Sequence, residues 1–541
     1  MKKNLISLLI TILLGGLYYY IVLPPINITS PGFWVTVILF LVWYLFIRLI
    51  VFSGDFELIL TKNVIDIRKK RGVKTSKISV TKVIGILIPV IIGSILIINF
   101  ILSPVFRADK YKNRITIDED NKFTEDIKEV NFNKIPLLDK DSTRKLGDRK
   151  MGEMPEYVSQ YSVSDLYTQI NYNNEIVRVT PLEYNGFIKY LTNKDEGIKA
   201  YITVDSVKGT SKLVKLDKGM KYSPSAYFSK DLKRKLRFDF PTKIFGNIVF
   251  ELDEEGNPYW VVPCIKYDGV GIKEEIEGTI LLDAVTGKTK YYSVKNVPQW
   301  VDRVYSPYLI INQVDDWGTY VNGFLNSMFG QKNVVNTTDG YNYLILNDDV
   351  YLYTGITSVA ADESNLGFIL VNLRTKEAKY YNESGAEEFS AMSSAEGLVQ
   401  EKGYVASFPL LINLNNRPTY LLSLKDSAGL VKMYAFVDVE DYQIVSTSDS
   451  SSGIKQASED YLRKIDKEDT NIETEEKEIT IKSITNAVID GTTYYYIIDE
   501  DNNKYRLSIK VDKYEIPFIK KGDVINIEYT TSDVSTIKNI K

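Results

Sequence analysis

The chain has 541 residues, 44% of them apolar, with a net charge of −4, no histidine and one cysteine. The absence of histidine excludes Ser–His and Cys–His catalysis and every imidazole-ligated metal site. A single cysteine excludes an intramolecular disulfide, and Cys264, inside the apolar run YWVVPCI, reads as a small buried hydrophobe.

Residues 4–47 carry no charged side chain. Leu5 to Pro24 is one apolar run, Phe33 to Phe52 a second and Val83 to Phe106 a third. Each approaches the roughly 20 residues that cross a bilayer as a helix. Three transmembrane helices are therefore expected in a membrane domain spanning 1–106. The first run lacks a small-residue cleavage site after its Met-Lys-Lys start and is read as a retained helix. Residues 54–82 hold eight Lys or Arg against three acids, whereas the Ile26–Gly32 turn holds none. The positive-inside rule puts 54–82 in the cytoplasm, resting on anionic lipid, and everything after Phe106 outside.

Residues 107–155 are polar and read as a spacer. Asp118-Glu-Asp120-Asn121 resembles the start of a calcium loop, but Lys122 falls where a ligand is needed. From 156 to 460 one unit recurs. Gly278–Tyr292, GTILLDAVTGKTKYY, aligns without a gap to Gly367–Tyr381, GFILVNLRTKEAKYY. Met433–Thr447 and Ala200–Val214 are further copies. Each is a strand, a turn and a strand, with Ile280 and Leu282 on one face and Leu281 and Asp283 on the other. The turn positions are Asp205 and Gly209, Asp283 and Gly287, Asn372, and Asp438. A carboxylate or amide there can accept backbone N–H bonds across the turn, and Gly287 suits a positive φ. In the last copy, Ser393-Ser-Ala-Glu396 reads as a capping box opening a helix that stops at Gly403. Four antiparallel strands follow, making a helix and a meander per copy.

Pro258-Tyr259-Trp260 with Leu282-Asp283-Ala284-Val285-Thr286-Gly287, and Pro418-Thr419-Tyr420 with Val437-Asp438, resemble the PepSY family. The resemblance implies extracytoplasmic modules of cystatin-like, helix-on-sheet form, associated with peptidase propeptides and bacterial envelope proteins. It implies no catalytic residues. The third copy departs from the pattern at Asn372 and Lys376.

Residues 300–340 read as a less repetitive insertion, and Trp300, Trp317, Tyr320, Phe324 and Phe329 are its candidate interaction residues. Near-helical spacing of Trp317, Phe324 and Phe329 offers core packing as the alternative. A charged linker is expected at 461–478. Five short strands over 479–541 suggest a small OB-like barrel. Its nine basic and nine acidic residues lack the basic excess that nucleic acid demands.

Ser142-Thr-Arg-Lys145 and Ser452-Gly-Ile-Lys455 match a Ser-x-x-Lys spacing without its companion motifs. No phosphate loop or dinucleotide fingerprint occurs. The expected class is a multi-pass, membrane-anchored α+β protein of the cell membrane. Three transmembrane helices precede tandem helix-plus-antiparallel-sheet repeats outside and an OB-like barrel. It is expected to have no catalytic residue, cofactor or metal. Its expected partners are membrane lipid and an envelope protein or the cell wall, and not nucleic acid. Two other readings stand beside this one: a regulator or inhibitor of an extracellular peptidase, and a histidine-independent wall hydrolase.

Overall fold

The structure is a computed structural model. It describes residues 2–51, 56–61, 64–69, 80–132, 135–136, 138–173, 175–346, 349–358, 364–451, 453–468, 475–489, 492–509, 511–512, 514–530 and 535–540. Several sequence readings lie outside them: residues 70–79 of the basic loop, the turns at 347–348 and 490–491, Ser452, and 469–474 of the linker. The chain forms two compact units, the first covering Met1–Val431 with Asp438–Tyr442, the second Lys432–Val437 with Gln443–Lys541.

In the first unit, α1 (Lys2–Val22), α2 (Pro31–Val51) and α3 (Val80–Ile101) are long and apolar enough to cross a membrane. Tyr18 packs edge-on against Phe40 and Trp43 at 5.7 Å. Gly15 lets Phe40 approach, since a Cβ there would lie 3.1 Å from its ring. Between α2 and α3, Phe56–Thr61 and Val64–Lys69 pair antiparallel.

The repeat is more elaborate than a four-stranded meander. In the first three copies a long central strand carries two short strands on one side and two further strands on the other. In the second copy, Ile244–Phe245 and Val249–Leu252 both pair with Pro258–Tyr267, which pairs with Glu274–Asp283 and then Thr289–Ser293. The first copy repeats this around Glu175–Tyr184 and the third around Asp349–Ser358. In the fourth, Val405–Ala406 and Leu410–Leu414 both pair with Arg417–Lys425. A helix precedes each sheet: Lys140–Gly152, Leu232–Asp239, Pro307–Thr319 and Glu388–Gly397. Three of these helices depart from the sequence reading. The first copy starts near residue 140 rather than 156. The supposed insertion contains the third copy's own helix. The fourth helix begins before Ser393, and Glu396 accepts the Ala406 N–H instead of closing a capping box.

Alternation along the strands explains the cores. Trp260, Val262, Cys264, Ile280 and Leu282 are fully buried in a core shared with the first copy's Val179, Ile202 and Val204. Val261 and Leu281, on the opposite face, join Val350, Leu352, Ile369 and Val371 of the third copy. The second sheet is thus buried on both faces, which accounts for its near-continuous apolar runs. Each fully buried aliphatic or aromatic side chain contributes about 1.5–3 kcal/mol.

The expected spacer is a structural element. α4 (Pro104–Lys112) follows α3 after two residues. Ile117–Asn121, which includes the supposed calcium-loop residues, is a strand parallel to Ala378–Tyr381 at the edge of the third copy. Ile115, Phe123, Ile127 and Ile135 are buried. Phe123 packs edge-on against Tyr381 at 5.8 Å. Asn413 donates to the Ile127 carbonyl at 2.7 Å. A few apolar residues spaced through a polar run are enough to hold it down.

In the second unit 433–437 pairs with Val445–Asp449. Part of the expected linker is the helix Gly453–Glu468, whose Tyr461 packs 5.9 Å from Phe436. Five strands from Glu475 to Ile540 then close into a barrel. Lys504–Ser508 runs parallel to Ser535–Ile540, and the core holds Ile481, Ile497, Leu507, Ile516 and Ile527. Asp499 caps a hairpin turn, accepting from Asn503 N–H, Tyr505 OH and Lys477.

Candidate functional site

The repeated turns form one local device. In each copy the side-chain oxygen at the turn position accepts the backbone N–H groups two and three residues on. Asp205 does so at 2.9 and 2.9 Å, Asp283 at 2.9 and 3.0 Å, Asn372 at 2.8 and 3.0 Å, and Asp438 at 2.9 and 2.9 Å. Gly209 and Gly287 take positive φ, 68° and 75°, and Lys376 takes 66° at the matching position. The Lys376 side chain reaches Glu275 at 2.7 Å, a contact glycine could not make. The turns sit one per copy, each closed by its own local bonds.

The candidates of 300–340 divide. Trp300 is half-buried, 5.1 Å from Tyr259, and Trp317 is half-buried, 6.3 Å from Tyr380. Both pack on the core shared by the second and third copies. Tyr320 lies 6.1 Å from Tyr111 of α4. Ser306 caps the helix, and its expected continuation breaks after Thr319. Gly323–Leu325 lies against α4, followed by a π-helical turn over Asn326–Gly330. Phe324 is half-buried, whereas Leu325 is 70% exposed, Met328 59% and Phe329 81%. The apolar tip that remains available is therefore Leu325, Met328 and Phe329.

The second copy is fastened to the helix ends. Ile26 N–H donates to the Pro241 carbonyl at 2.8 Å and Gly271 N–H to Thr29 at 3.0 Å. Asn99, near the end of α3, exchanges two 2.9 Å bonds with Val270. Buried Arg237 donates to the carbonyls of Leu23 (2.9 Å), Lys243 (2.6 Å), Phe240 and Pro241 (3.3 Å each). Burial pushes its pKa down to about 10. Arg234 stacks 4.2 Å from the Tyr20 ring.

A cavity of about 470 Å³ opens among the first, third and fourth copies within the first unit. Arg178, in the strand Glu175–Tyr184, lines it and is 6% exposed. Its Nε–H has no acceptor, and it forms no ion pair among the described residues. Burial, and then the neighbouring Arg303, bring its pKa down to about 10. Arg303 sits 4.2 Å over the Tyr343 ring and donates to its hydroxyl at 3.1 Å, leaving its Nε–H without an acceptor. Gln169 is 1% exposed, with Nε2 unpartnered. Among the described residues the one carboxylate lining the cavity, Asp139, is engaged by Lys425 and by the Ser142 N–H. Behind Arg303, buried Glu251 accepts the N–H groups of Asp302 (2.9 Å) and Arg303 (3.1 Å). Asp302 accepts the N–H of Asn171 at 2.8 Å. Burial raises both carboxyls, Glu251 to about 7, and the Glu251 charge raises Asp302 further. The sequence reading passed over this site. Its one visible signal is an arginine inside the otherwise apolar strand IVRVT.

The Ser-x-x-Lys spacing at 142–145 does not bring its two side chains together. Ser142 donates to the Gly429 carbonyl and Lys145 to Ala428, so the two do not pair. Cys264 is fully buried, and burial pushes its thiol up to about 12. Among the described residues no cluster of acidic or thiol groups is spaced to hold a metal ion.

No protein-family model and no curated protein sequence matches the chain. Among solved structures it is similar to a Trypanosoma rangeli sialidase in complex with 2,3-difluorosialic acid. The identity is 8%, over 70% of this chain and 53% of that one, with a TM-score of 0.16. It is also similar to an ACO/RPE65 chimera at 9% identity, over 70% of this chain and 64% of that one, with a TM-score of 0.14. The chain spans about half to two thirds of those proteins, and at such TM-scores the likeness carries no argument.

Proposed function

We propose that the chain is a multi-pass membrane protein whose repeat region lies outside the cytoplasm. There it binds or scaffolds an envelope partner without catalysing a reaction. The observation that carries this reading is the fastening of the second copy to one set of helix ends. The turn between α1 and α2 and the end of α3 meet the same repeat, while the basic sequence 54–82 follows the end of α2 and leads into the start of α3. The positive-inside rule then faces the repeats outward. The helix-before-sheet order of the copies agrees with the PepSY-like, cystatin-like resemblance. Closure of the terminal barrel, with its third strand parallel to its fifth, agrees with an OB-like form.

The apolar tip belongs to the same picture. Leu325, Met328 and Phe329 project beside α4, which leaves the third membrane helix. Exposed Val105 and Phe106 and the basic Arg107 and Lys110 share that helix. Apolar side chains rimmed by lysine and arginine suit the lipid headgroup boundary. Two measurements test the reading. Protease added to spheroplasts should digest residues after 107 and spare 54–82; a protected repeat region overturns the orientation. An environment-sensitive dye on Phe329→Cys in the full chain, where native Cys264 is buried, should shift to the blue in liposomes. An aqueous emission spectrum there removes lipid as the partner of the tip.

A further inference from the structure

A buried cation without a counter-ion is costly. The penalty is several kcal/mol per ion even after relaxation, and buried charges are normally paired. Arg178 is such a cation, and Arg303 beside it adds repulsion rather than relief. Buried polar atoms without partners are rare enough that each calls for an explanation. Here, among the described residues, four such donor atoms, Arg178 Nε, Arg303 Nε, Gln169 Nε2 and the Tyr167 hydroxyl, belong to side chains lining one cavity.

The geometry points to a binding site in this cavity for a small carboxylate-bearing molecule, with Arg178 as its counter-ion and Arg303 and Gln169 as flanking donors. Asp139, the carboxylate that acts on Arg178 through the cavity, is already engaged by Lys425, which leaves Arg178 without an ion pair of its own among the described residues. A planar guanidinium matches a carboxylate through two parallel N–H bonds. The rest of the wall suits an apolar or aromatic body, since Tyr341, Tyr343 and Phe408 line it. The volume, about 470 Å³, falls within the range of roughly 300–1,000 Å³ usual for small-ligand pockets. Because the first, third and fourth copies all contribute, occupancy would tie the stability of three repeats to the presence of ligand. The site does not depend on which side of the membrane the repeats occupy.

The test uses the full chain in detergent, with benzoate as the carboxylate probe and benzamide and inorganic phosphate as controls. Thermal unfolding should rise by several degrees in millimolar benzoate and stay unchanged in benzamide and phosphate. Arg178→Met should abolish the benzoate response while leaving the ligand-free melting temperature equal or higher, since a stranded charge has gone. Arg178→Lys should weaken apparent affinity about tenfold or more, because a point charge replaces the fork. Arg303→Met is the second variant and should also blunt the response. If Arg178→Met instead lowers the ligand-free melting temperature, the arginine is structural and the proposal fails. Absence of any benzoate response overturns it as well. An equal phosphate response, lost in Arg178→Met, overturns the carboxylate assignment.

Discussion

Glu251 shows how one residue can organise several copies. Its carboxylate holds the segment leading into the third helix, and its neighbour Asp302 holds the first copy. A carboxyl raised on folding stabilises below its unfolded pKa and loses that contribution as pH climbs through its folded value. For Glu251 that window runs from 4.5 to about 7. Glu251→Gln mimics the protonated form but puts an NH2 donor where one of the two accepting oxygens stands, so one N–H loses its partner, a loss of about 1–3 kcal/mol. The gap in melting temperature between wild type and variant should therefore be widest below pH 4.5 and narrow through pH 7. A gap that widens with pH contradicts the burial argument. The aromatic candidates separate at the same scale. Trp317→Ala should cost about 2–3 kcal/mol, less than the 3–5 of a fully buried aromatic. Phe329→Ala should leave denaturant unfolding unchanged, because its ring touches water rather than core.

Among the elements, the loop between α1 and α2 depends on Arg237. Arg237→Met takes a donor from four carbonyls, of which Pro241 keeps the Ile26 N–H and Phe240 the Lys243 N–H, and should cost about 2–4 kcal/mol. Hydrogen exchange should rise at the Ile26 and Gly271 amides, which donate across this contact, while the barrel amides stay protected. Unchanged exchange there means the fastening is carried elsewhere. Elements with a strong period were legible from sequence. The three helices long enough to cross a membrane are near-continuous apolar runs, and the paired strands of each copy align through Asp283 and its equivalents. The fastening was not, because it is made by backbone carbonyls such as Leu23 and Pro241, which carry no residue signature. The strand Ile117–Asn121 was hidden because one of its faces is polar and its partner lies far along the chain. The cavity was hidden because Arg178, Arg303 and Gln169 come from separate elements, and only tertiary packing leaves them unpartnered.

For the molecule as a whole, shared cores make the first three copies interdependent. Deleting residues 140–220 should expose Trp260, Val262, Ile280 and Leu282 together. The truncated chain should bind a hydrophobic dye and aggregate, as large bared apolar patches do. A soluble, cooperatively folding truncation would mean that the second copy is self-sufficient. The strand Ile117–Asn121 also sets an order in time. It completes the edge of a sheet whose adjoining strand is Ala378–Tyr381, so the ribosome makes it long before there is anything for it to join. At about 5–20 residues per second, the roughly 260 intervening residues take on the order of ten seconds to a minute to appear. Through that interval Phe123 has no Tyr381 ring to pack against, and the strand's backbone groups wait on water for their partner.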